Sequence, residues 1–308
     1  MGEIESAVIR DMESWLSQLL KITPRVLSQE PMSKHTSFGV GGPADFFVTI
    51  QNRGELERLF CLAQQYHIPF LIIGGGTNLV VRDKGIRGLV IKLGGEFRQI
   101  TIENNLIRVG AGASLSKVVS IAAKNELSGL EFAAGIPGTI GGAIAGNAGT
   151  ETGYIGNIVN QVEVLSLDGR FEVLTGSNVE FSYRNSNLKK YIVINAELLL
   201  TKRDFLGIIS TINSILKKRH TAQPKGRGAG SIFKNPEETF AWKLIRDAVP
   251  NGMRMGGAYI SSKHANFILA DKGAKANDVL ELIMYVQEQV KKNCGVELVA
   301  EVKVIGEE

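Results

Sequence analysis

The stretch that most constrains this chain is Glu131–Gly149, EFAAGIPGTIGGAIAGNAG, which holds six glycines and five alanines in nineteen residues. Glycine adopts positive φ angles at little cost and lets a ligand approach bare backbone N–H groups, so such a run suits a chain that wraps a phosphate-bearing cofactor. A tightly turned, closely packed core segment would have the same composition. A flexible linker is disfavoured, because apolar residues interrupt the glycines and Ser, Gln and Lys are absent. The stretch alone leaves packing and cofactor binding open, since glycine-rich motifs are weakly specific.

Length and charge limit the class of protein. The 308 residues suffice for about two domains or three small ones, and 44% hydrophobic with 21% charged residues is typical of a globular protein. The net charge of +4 is mild and the basic residues are scattered, which argues against a nucleic-acid binder. Cys61 and Cys294 belong to no CxxC or zinc-type cluster, so we expect neither a disulfide framework nor a metal. The first residues are acidic and no apolar run reaches the ~18 residues that span a bilayer, so we expect a cytoplasmic protein without a membrane partner.

Hydrophobic periodicity predicts a mixture of helices and strands. Apolar residues fall at helical spacing over residues 3–21, where one stripe of an amphipathic helix would dock against the protein, and the segment around Phe46, Val48 and Ile50 alternates as a strand does. Further helices are predicted over 55–66, 115–125 and 206–219, and further strands over 70–73, 100–109 (a strand pair), 159–167, 171–175 and 191–200. Asp168-Gly169 is a hairpin turn signal. Without a regular βαβα alternation, this pattern favours an α+β fold in two or three lobes.

A second glycine-rich turn follows the predicted buried strand Phe70–Ile73. Its sequence, Gly74 to Asn78, reads GGGTN and is followed almost at once by another apolar run. A Rossmann fingerprint fails here, because Leu79 occupies the third glycine position and the chain returns to strand. A P-loop fails as well, since the chain contains no Gly-Lys pair. A phosphate-binding strand-turn-strand and a plain β-turn both remain open.

Two side chains stand out for chemistry. Arg184, in FSYRNS, offers a planar and permanently charged fork for a carboxylate or phosphate, although an isolated arginine is more often a surface residue. Ser231, in GRGAGSIFKNP, has small neighbours that leave its hydroxyl open as a nucleophile or proton donor. A GxSxG motif is absent, so a nucleophilic triad is poorly supported, and a turn serine bonded to its own backbone is the commoner case.

Two further segments have equally open interpretations. In SSKHANF, Lys263 and His264 would either meet an anion or cap a loop. In GVELVAEVKVIG, at residues 295–306, strict alternation predicts a strand with Glu301 on its exposed face, unless something binds against that face.

Taken together, the motifs indicate a family. HTSFGVGGPAD, IIGGGTNLVV, EFAAGIPGTIGGAIAGNAG, SYRNS, AGSIFKNP, KHANF and EVKVIG occur in the order and spacing of the UDP-N-acetylenolpyruvoylglucosamine reductases (MurB), which the chain resembles over residues 31–306. The resemblance implies an α+β fold: an FAD-binding fold of the vanillyl-alcohol-oxidase type with two α+β subdomains, and a C-terminal α+β substrate-binding lobe. It implies an N-terminal helix (1–21), FAD-binding subdomains at 22–95 (joined by a strand at 297–308) and 96–204, and a substrate-binding domain at 205–296.

The resemblance also assigns residues. It implies three catalytic residues: Arg184, the proton donor Ser231 and the glutamate Glu301, whose family motif Leu-Glu-x-Glu-Val retains here only its second carboxylate. FAD, bound non-covalently, would be held by Ile73, Gly74, Gly75, Gly76, Thr77, Asn78, Gly135, Ile136, Pro137, Gly138, Thr139, Gly141 and Gly142. The UDP-sugar would contact Tyr183, Lys234, Asn235 and Lys263.

The implied reaction belongs to peptidoglycan precursor synthesis. NADPH would reduce FAD, and the hydride would pass to UDP-N-acetylglucosamine enolpyruvate in a monomeric enzyme that binds no nucleic acid. The chain departs from the family at Gln223–Gly228, where two cations and two glycines replace a Pro-Leu-x-x-Pro-Ser approach to the serine, and at Asp247–Gly252. A short connection after SYRNS resembles the subclass that lacks a tyrosine-bearing loop. An oxidase of the same superfamily and a non-catalytic flavin or nucleotide-sugar binder are the alternatives.

Overall fold

The computed structural model describes residues 14–308. The helices in this range are α1 (residues 14–22), α2 (Arg53–Gln65), α3 (Leu115–Lys124), α4 (Ile140–Ala145), α5 (Phe205–Ala222), α6 (Ala241–Ala248) and α7 (Ala276–Cys294). The strands are β1 (Val26–Pro31), β2 (Pro43–Ile50), β3 (Phe70–Ile73), β4 (Leu79–Val81), β5 (Ile86–Leu93), β6 (Ile100–Glu103), β7 (Leu106–Gly110), β8 (Leu127–Ser128), β9 (Gly149–Thr150), β10 (Gly153–Tyr154), β11 (Val159–Ser166), β12 (Phe171–Thr175), β13 (Phe181–Ser182), β14 (Asn185–Ser186), β15 (Tyr191–Leu199), β16 (Thr201–Lys202), β17 (Arg254–Met255), β18 (Ala258–Ile260), β19 (Ile268–Ala270) and β20 (Lys303–Ile305). Among these helices, none combines the length and the apolar character that crossing a bilayer requires.

The chain forms two compact units, each assembled from segments that are distant in sequence. The first comprises the described residues up to Gln29, together with Asp45–Gly74 and Gly88–Asn213. The second comprises Glu30–Ala44, Gly75–Arg87 and Ser214–Glu308. Neither unit corresponds to one continuous stretch, so the folding of each depends on long-range contacts.

The first unit contains a five-stranded antiparallel sheet in the order β12-β11-β15-β7-β6. Its β11–β12 hairpin turns at Asp168-Gly169, where Gly169 has a φ angle of +87°. Across this turn, the N–H of Ser166 donates to the carbonyl of Arg170 at 2.9 Å. The predicted hairpin and the predicted strand pair β6–β7 are therefore confirmed. A second sheet, in the order β1-β2-β5-β3, includes the parallel pair β3–β5.

Helix α1 confirms the described part of the predicted N-terminal helix. Trp15 is 4% exposed and Leu19 is fully buried in the first unit's core. The Trp15 ring meets the edge of Phe46 with ring centroids 4.8 Å apart, a favourable aromatic geometry. The apolar stripe thus docks as predicted, while the remainder of the predicted helix, residues 3–13, lies outside the described residues.

The other predicted helices are confirmed as α2, α3 and α5, with ends that differ from prediction by a few residues. Helix α2 starts after Asn52, because the Asn52 side-chain oxygen accepts from the N–H of Glu55 at 2.9 Å and so satisfies one of the donors that a helix start leaves open.

Helix α7 organises the second unit, together with α6, the antiparallel sheet β17-β18-β19 and the parallel pair β4–β20. Its buried residues recur at helical spacing and include Val279, Leu282, Ile283 and Val286. At its start, the Asp83 carboxylate accepts from the N–H groups of Ala276 and Asn277, each at 2.9 Å. A negative charge at this position also complements the helix dipole.

The C-terminal strand is shorter than the alternating pattern predicted, because regular pairing is confined to β20. The predicted alternation in burial does hold between Leu298 and Val302, which are buried, and Val299, which is exposed. The backbone of this segment bonds instead to the stretch after Ser231: Lys234 N–H donates to Val299 O at 2.9 Å, and Glu301 N–H donates to Ile232 O at 2.7 Å. These partners lie in an irregular segment, so no continuous strand forms.

Candidate active site

The first glycine turn leaves β3 and is closely packed on the side away from solvent. Ile73 is 3% exposed, and a Cβ atom on Gly74 would lie 2.4 Å from Thr139 Oγ1. Gly76 has a φ angle of +63°, and its Cβ would lie 1.8 Å from the carbonyl oxygen of His35. No other residue fits either position without displacement. The predicted return to strand is confirmed by β4.

The second glycine-rich segment, Glu131–Gly149, contains both packed and exposed glycines. Gly138 O accepts from the N–H of Leu115 at 3.1 Å, and Gly141 N–H donates to Ala111 O at 2.8 Å, so this part packs against the neighbouring chain. A Cβ on Gly141 would lie 2.9 Å from the Ala111 Cβ. Gly135, by contrast, is exposed. The packing interpretation therefore holds for Gly138 and Gly141, and cofactor binding by Gly135 stays a prediction.

The exposed part of this segment fits a phosphate-bearing cofactor such as FAD. Gly135 and Gly138 have φ angles of +77° and +126°, which turn the backbone without side chains in the way. Gly142, at the start of α4, is exposed, and a Cβ there would meet only Thr139 Oγ1, at 3.6 Å. The N–H groups of Gly141 and Gly142 already donate to Ala111 O and Thr139 Oγ1, so the helix start itself does not serve a phosphate. The turned backbone at Gly135 and Gly138, which has no side chains, is the part that leaves room for a phosphate-bearing cofactor. The individual contacts of Ile73, Gly74, Gly75, Gly76, Thr77, Asn78, Gly135, Ile136, Pro137, Gly138, Thr139, Gly141 and Gly142 with FAD stay predictions.

Arg184 lies at the tip of the tight hairpin β13–β14, whose strands pair Phe181 with Ser186 and Ser182 with Asn185. Its φ angle of +54° is left-handed, a conformation that is uncommon for a residue with a side chain. The guanidinium carbon lies 5.3 Å from the centroid of the Tyr183 ring, and Tyr183 itself is exposed. A strained residue that presents a fixed positive charge at a hairpin tip is characteristic of functional sites.

Asn147, which the sequence reasoning did not single out, braces this hairpin. It is buried, its Nδ2 donates to Ser182 O at 2.8 Å, and its Oδ1 accepts from Gly156 N–H at 3.1 Å. The hydroxyl of Ser186 adds a bond to Ala145 O at 2.9 Å. The only signal in the sequence was an amide side chain within a run of glycine and alanine.

The second unit brings Ser231 and Glu301 together. Ser231 follows Gly230, whose φ angle is +76° and whose absent Cβ would meet nothing within 4 Å. The next residue, Ile232, accepts from the N–H of Glu301, so the two predicted catalytic residues lie one residue apart across a backbone hydrogen bond. Arg184 belongs to the first unit.

A buried asparagine, Asn266, holds the serine segment from its other side. Asn266 O accepts from Ile232 N–H at 2.9 Å, Asn266 Oδ1 accepts from Phe233 N–H at 2.9 Å, and Asn266 Nδ2 donates to Phe233 O at 2.8 Å. This asparagine lies in the KHANF motif, but its positioning contacts were not predicted.

Several predicted binding residues have structural partners. The Asn78 side chain donates to Glu301 O at 3.1 Å, which ties the glycine turn to the glutamate within the second unit. Asn235 Oδ1 accepts from Ala241 N–H at 3.1 Å at the start of α6. Lys263 Nζ donates to His220 O at 2.7 Å, the loop-capping alternative. These contacts leave open whether Asn235, Lys263, Lys234 and Tyr183 bind a substrate.

His264 is a titratable group near this site whose pKa is shifted by its environment. Its ring meets the Phe267 ring edge-on with centroids 4.8 Å apart, and its Nδ1 accepts from Asn266 N–H at 3.3 Å. Burial among these groups lowers the pKa of His264 below the ordinary value of 6.5, because the charged imidazolium is desolvated. We therefore describe His264 as a neutral packing residue.

Family models match two parts of the chain. Residues 44–175 match an FAD binding domain, and residues 222–305 match the UDP-N-acetylenolpyruvoylglucosamine reductase C-terminal domain. The mixed α+β architecture and the exposed glycine backbone agree with the first match. The protein is thus an FAD-binding oxidoreductase.

Relatives along the whole chain define the family more closely. The chain is 43% identical over 295 residues to the UDP-N-acetylenolpyruvoylglucosamine reductase of Caldanaerobacter subterraneus subsp. tengcongensis, covering 95% of this chain and 97% of the relative. It is 44% identical over 282 residues to the reductase of that name from Desulforamulus reducens, covering 91% and 93% of the two chains. The chain belongs to the UDP-N-acetylenolpyruvoylglucosamine reductase (MurB) family.

Solved structures agree with this fold. The crystal structure of MurB from Thermus caldophilus is 37% identical and matches with a TM-score of 0.81, covering 91% of this chain and 98% of that one. A variant of Phl p 4 described as a glucose oxidase matches with a TM-score of 0.50 at 14% identity, covering 62% of this chain and 44% of that one. This second likeness concerns the fold alone. The predicted fold class, the vanillyl-alcohol-oxidase type of FAD-binding fold with a C-terminal α+β lobe, is confirmed.

Proposed function

We propose that this protein is an NADPH-dependent reductase that converts UDP-N-acetylglucosamine enolpyruvate to UDP-N-acetylmuramate in peptidoglycan precursor synthesis. The observation that carries the proposal is whole-length identity of 43% to a reductase named for this substrate. The adjacency of Ser231 and Glu301 in one unit supports it, because the predicted reaction requires both groups at a single carbon centre. When bound, FAD reduced by NADPH supplies the hydride for the terminal carbon of the enolpyruvyl ether.

Residues of the chain stabilise the negative charge that this addition creates. Negative charge develops on the carbon next to the attacked one and spreads to the enolpyruvyl carboxylate. The Arg184 guanidinium pairs with that carboxylate as a permanently charged, planar donor, and its position at a left-handed hairpin tip supports this role. Glu301, in its protonated form, donates a hydrogen bond to the same charge. Stabilisation aimed at developing charge lowers the barrier without tightening substrate binding to the same extent.

Ser231 completes the reaction as a general acid. Its hydroxyl delivers a proton to the carbanionic carbon, which balances the addition of hydride and proton across the double bond. A serine hydroxyl is a weak acid, so the step needs a fixed geometry. The paired backbone bonds from Asn266 and Glu301 to the neighbouring Ile232 support such a geometry.

The finer predictions belong to this proposal. The link between β14 and β15 contains a single 3₁₀ turn, Asn187–Lys190, which supports the subclass without a tyrosine loop. We retain the predicted domain division, the thirteen FAD contacts, and Tyr183, Lys234, Asn235 and Lys263 as UDP-sugar contacts. We also retain the predictions that the enzyme is cytoplasmic and monomeric as parts of this proposal.

A two-step spectroscopic experiment tests the function. The purified protein, supplied with FAD, should be yellow, should bleach anaerobically on addition of NADPH, and should regain its colour on addition of UDP-N-acetylglucosamine enolpyruvate. UDP-N-acetylglucosamine, which lacks the enolpyruvyl group, is the matched control and should leave the protein bleached. A protein that stays colourless after FAD addition, or that is reoxidised only by O₂, would contradict the proposal.

A further inference from the structure

The second unit contains a basic cavity apart from the residues discussed so far. The cavity is open to solvent, has a volume of about 370 Å³ and is lined by Ser33, Lys34, Thr36, Ser37, Gly39, Arg227 and Lys272. Its three cations, Lys34, Arg227 and Lys272, are exposed. The three cations come from three segments that are distant in sequence. Among residues 14–308, no Asp or Glu lines the cavity.

Arg227 is an exposed residue whose backbone is anchored by a neighbouring strand. Arg227 O accepts from the N–H of Ala270 at 2.9 Å, which anchors the residue to β19. The side chain then runs along Gly39, where a Cβ atom would lie 3.3 Å from Arg227 Cδ and 3.4 Å from its Nη1. Gly39 has a φ angle of +67°, so this position both requires glycine and leaves space for the arginine.

The nearby carboxylates are already paired with other groups. Asp271, the neighbour of Lys272, is bonded to Arg254. Glu30 lies 3.4 Å from Lys34 Nζ and 3.0 Å from His35 Nε2, but Lys34 is exposed, and an exposed pair of this kind holds its partner weakly. Within the described residues, neither Arg227 nor Lys272 forms an ion pair with a carboxylate. The cavity therefore keeps a net positive charge.

We propose that this cavity binds a phosphate or diphosphate group of a nucleotide. A guanidinium fork, two ammonium groups and the Ser33 hydroxyl form a donor set that phosphate oxygens accept from, whereas the Ser37 hydroxyl already donates to Gly76 O at 3.4 Å. Ser37 also connects the cavity to the glycine turn, since Ser37 N–H donates to Gly76 O at 3.0 Å. The anion site itself does not depend on the proposed function, whereas its assignment to NADPH or to the UDP-sugar rests on that function.

Calorimetric binding to the full-length, FAD-supplied protein tests the site with three probes: inorganic pyrophosphate, 2′,5′-ADP and UDP. Arg227→Ala should weaken pyrophosphate binding about tenfold or more, because charge-assisted hydrogen bonds are lost. Lys225→Ala is the matched control, since Lys225 is exposed in the same loop and does not line the cavity. Lys272→Ala is a second variant from a different segment, and thermal melting checks that each variant folds.

The outcomes separate the possible ligands. Loss of 2′,5′-ADP binding alone in Arg227→Ala assigns the cavity to the 2′-phosphate end of NADPH, and loss of UDP binding alone assigns it to the UDP-sugar. Loss of pyrophosphate binding alone supports a site for a free polyphosphate anion. The proposal is overturned if the wild-type protein binds none of the probes, or if Lys225→Ala weakens binding as much as Arg227→Ala and Lys272→Ala do. Because these are binding measurements, they stand whether or not the enzyme reduces the enol ether.

Discussion

Asn147 donates from its side-chain amide to the backbone carbonyl of Ser182 at 2.8 Å, across 35 residues of chain. This bond joins the end of the glycine-rich segment to the hairpin that carries Arg184. The same side chain accepts from Gly156 N–H, so one buried amide satisfies two backbone groups of separate segments. The glycine-rich segment thus contributes to the site through a single side chain as well as through its bare backbone.

Asn147→Ala should destabilise the protein by about 1–3 kcal/mol, because two hydrogen bonds of a buried amide are lost, to Ser182 O and from Gly156 N–H. If the hairpin positions Arg184, reoxidation of the reduced enzyme by the enol ether should slow more than its reduction by NADPH does. Chemical denaturation and single-turnover kinetics measure the two effects. Asn125→Ala is the control, since the exposed Asn125 amide bonds only to Ile121 O within its own helix. Equal slowing of both half-reactions would argue for a general loss of structure.

Ser231→Ala should leave flavin reduction by NADPH nearly intact and slow reoxidation by the enol ether about a hundredfold or more, the usual contribution of general acid catalysis. Stopped-flow absorbance of the two half-reactions measures this split. The exposed Ser262 provides the control Ser262→Ala, which should behave as the wild-type protein. A proportional loss in both half-reactions would refute the assignment of Ser231 as proton donor.

Gly76→Ala should destabilise the protein by about 3 kcal/mol, since it adds both a clash with the His35 carbonyl and the cost of a left-handed φ angle. We also expect it to lose FAD, because the turn must shift to accommodate the methyl group. Gly273→Ala isolates the φ contribution: its φ angle is +90° and its Cβ would meet nothing within 4 Å. Denaturation midpoints and the ratio of flavin to protein absorbance report the outcome. Similar behaviour of the two variants would mean that the close packing at Gly76 is unimportant.

His264 should make stability depend on pH. Its pKa is lowered in the folded protein, so the unfolded chain binds a proton first as the pH falls. The contribution of His264 to the free energy of unfolding is complete well above the unfolded pKa of about 6.5. It declines as the pH drops through that value toward the lower pKa of the folded state. The melting temperature of the wild type, relative to His264→Gln, should therefore decrease between about pH 7.5 and pH 5.5. A constant difference between wild type and His264→Gln would contradict the prediction.

Local hydrophobic periodicity was sufficient to predict the main helices and strands of the first unit. Helix α3, the β11–β12 hairpin and the pair β6–β7 follow from apolar spacing and turn residues, which act over a few residues. The C-terminal segment was predicted less well. Its alternation correctly indicated that Leu298 and Val302 are buried, but Val304 on the same face is exposed. A strand also needs a neighbour with a regular backbone, and residues 296–302 lie against an irregular one.

The sequence alone indicated the α+β fold and the two glycine turns, because these depend on residue type and local spacing, whereas Arg184, Ser231 and Glu301 became catalytic candidates through the resemblance to the family. Only the tertiary structure decided that Glu301 bonds to Ile232, the neighbour of Ser231, and that Asn147 and Asn266 brace the segments that carry Arg184 and Ser231. It also decided that Arg227 lines one cavity with two lysines that are distant in sequence. Hydrogen bonds and charges of this kind link residues that are far apart in sequence. Their partners are selected by how the chain packs, which local patterns do not specify.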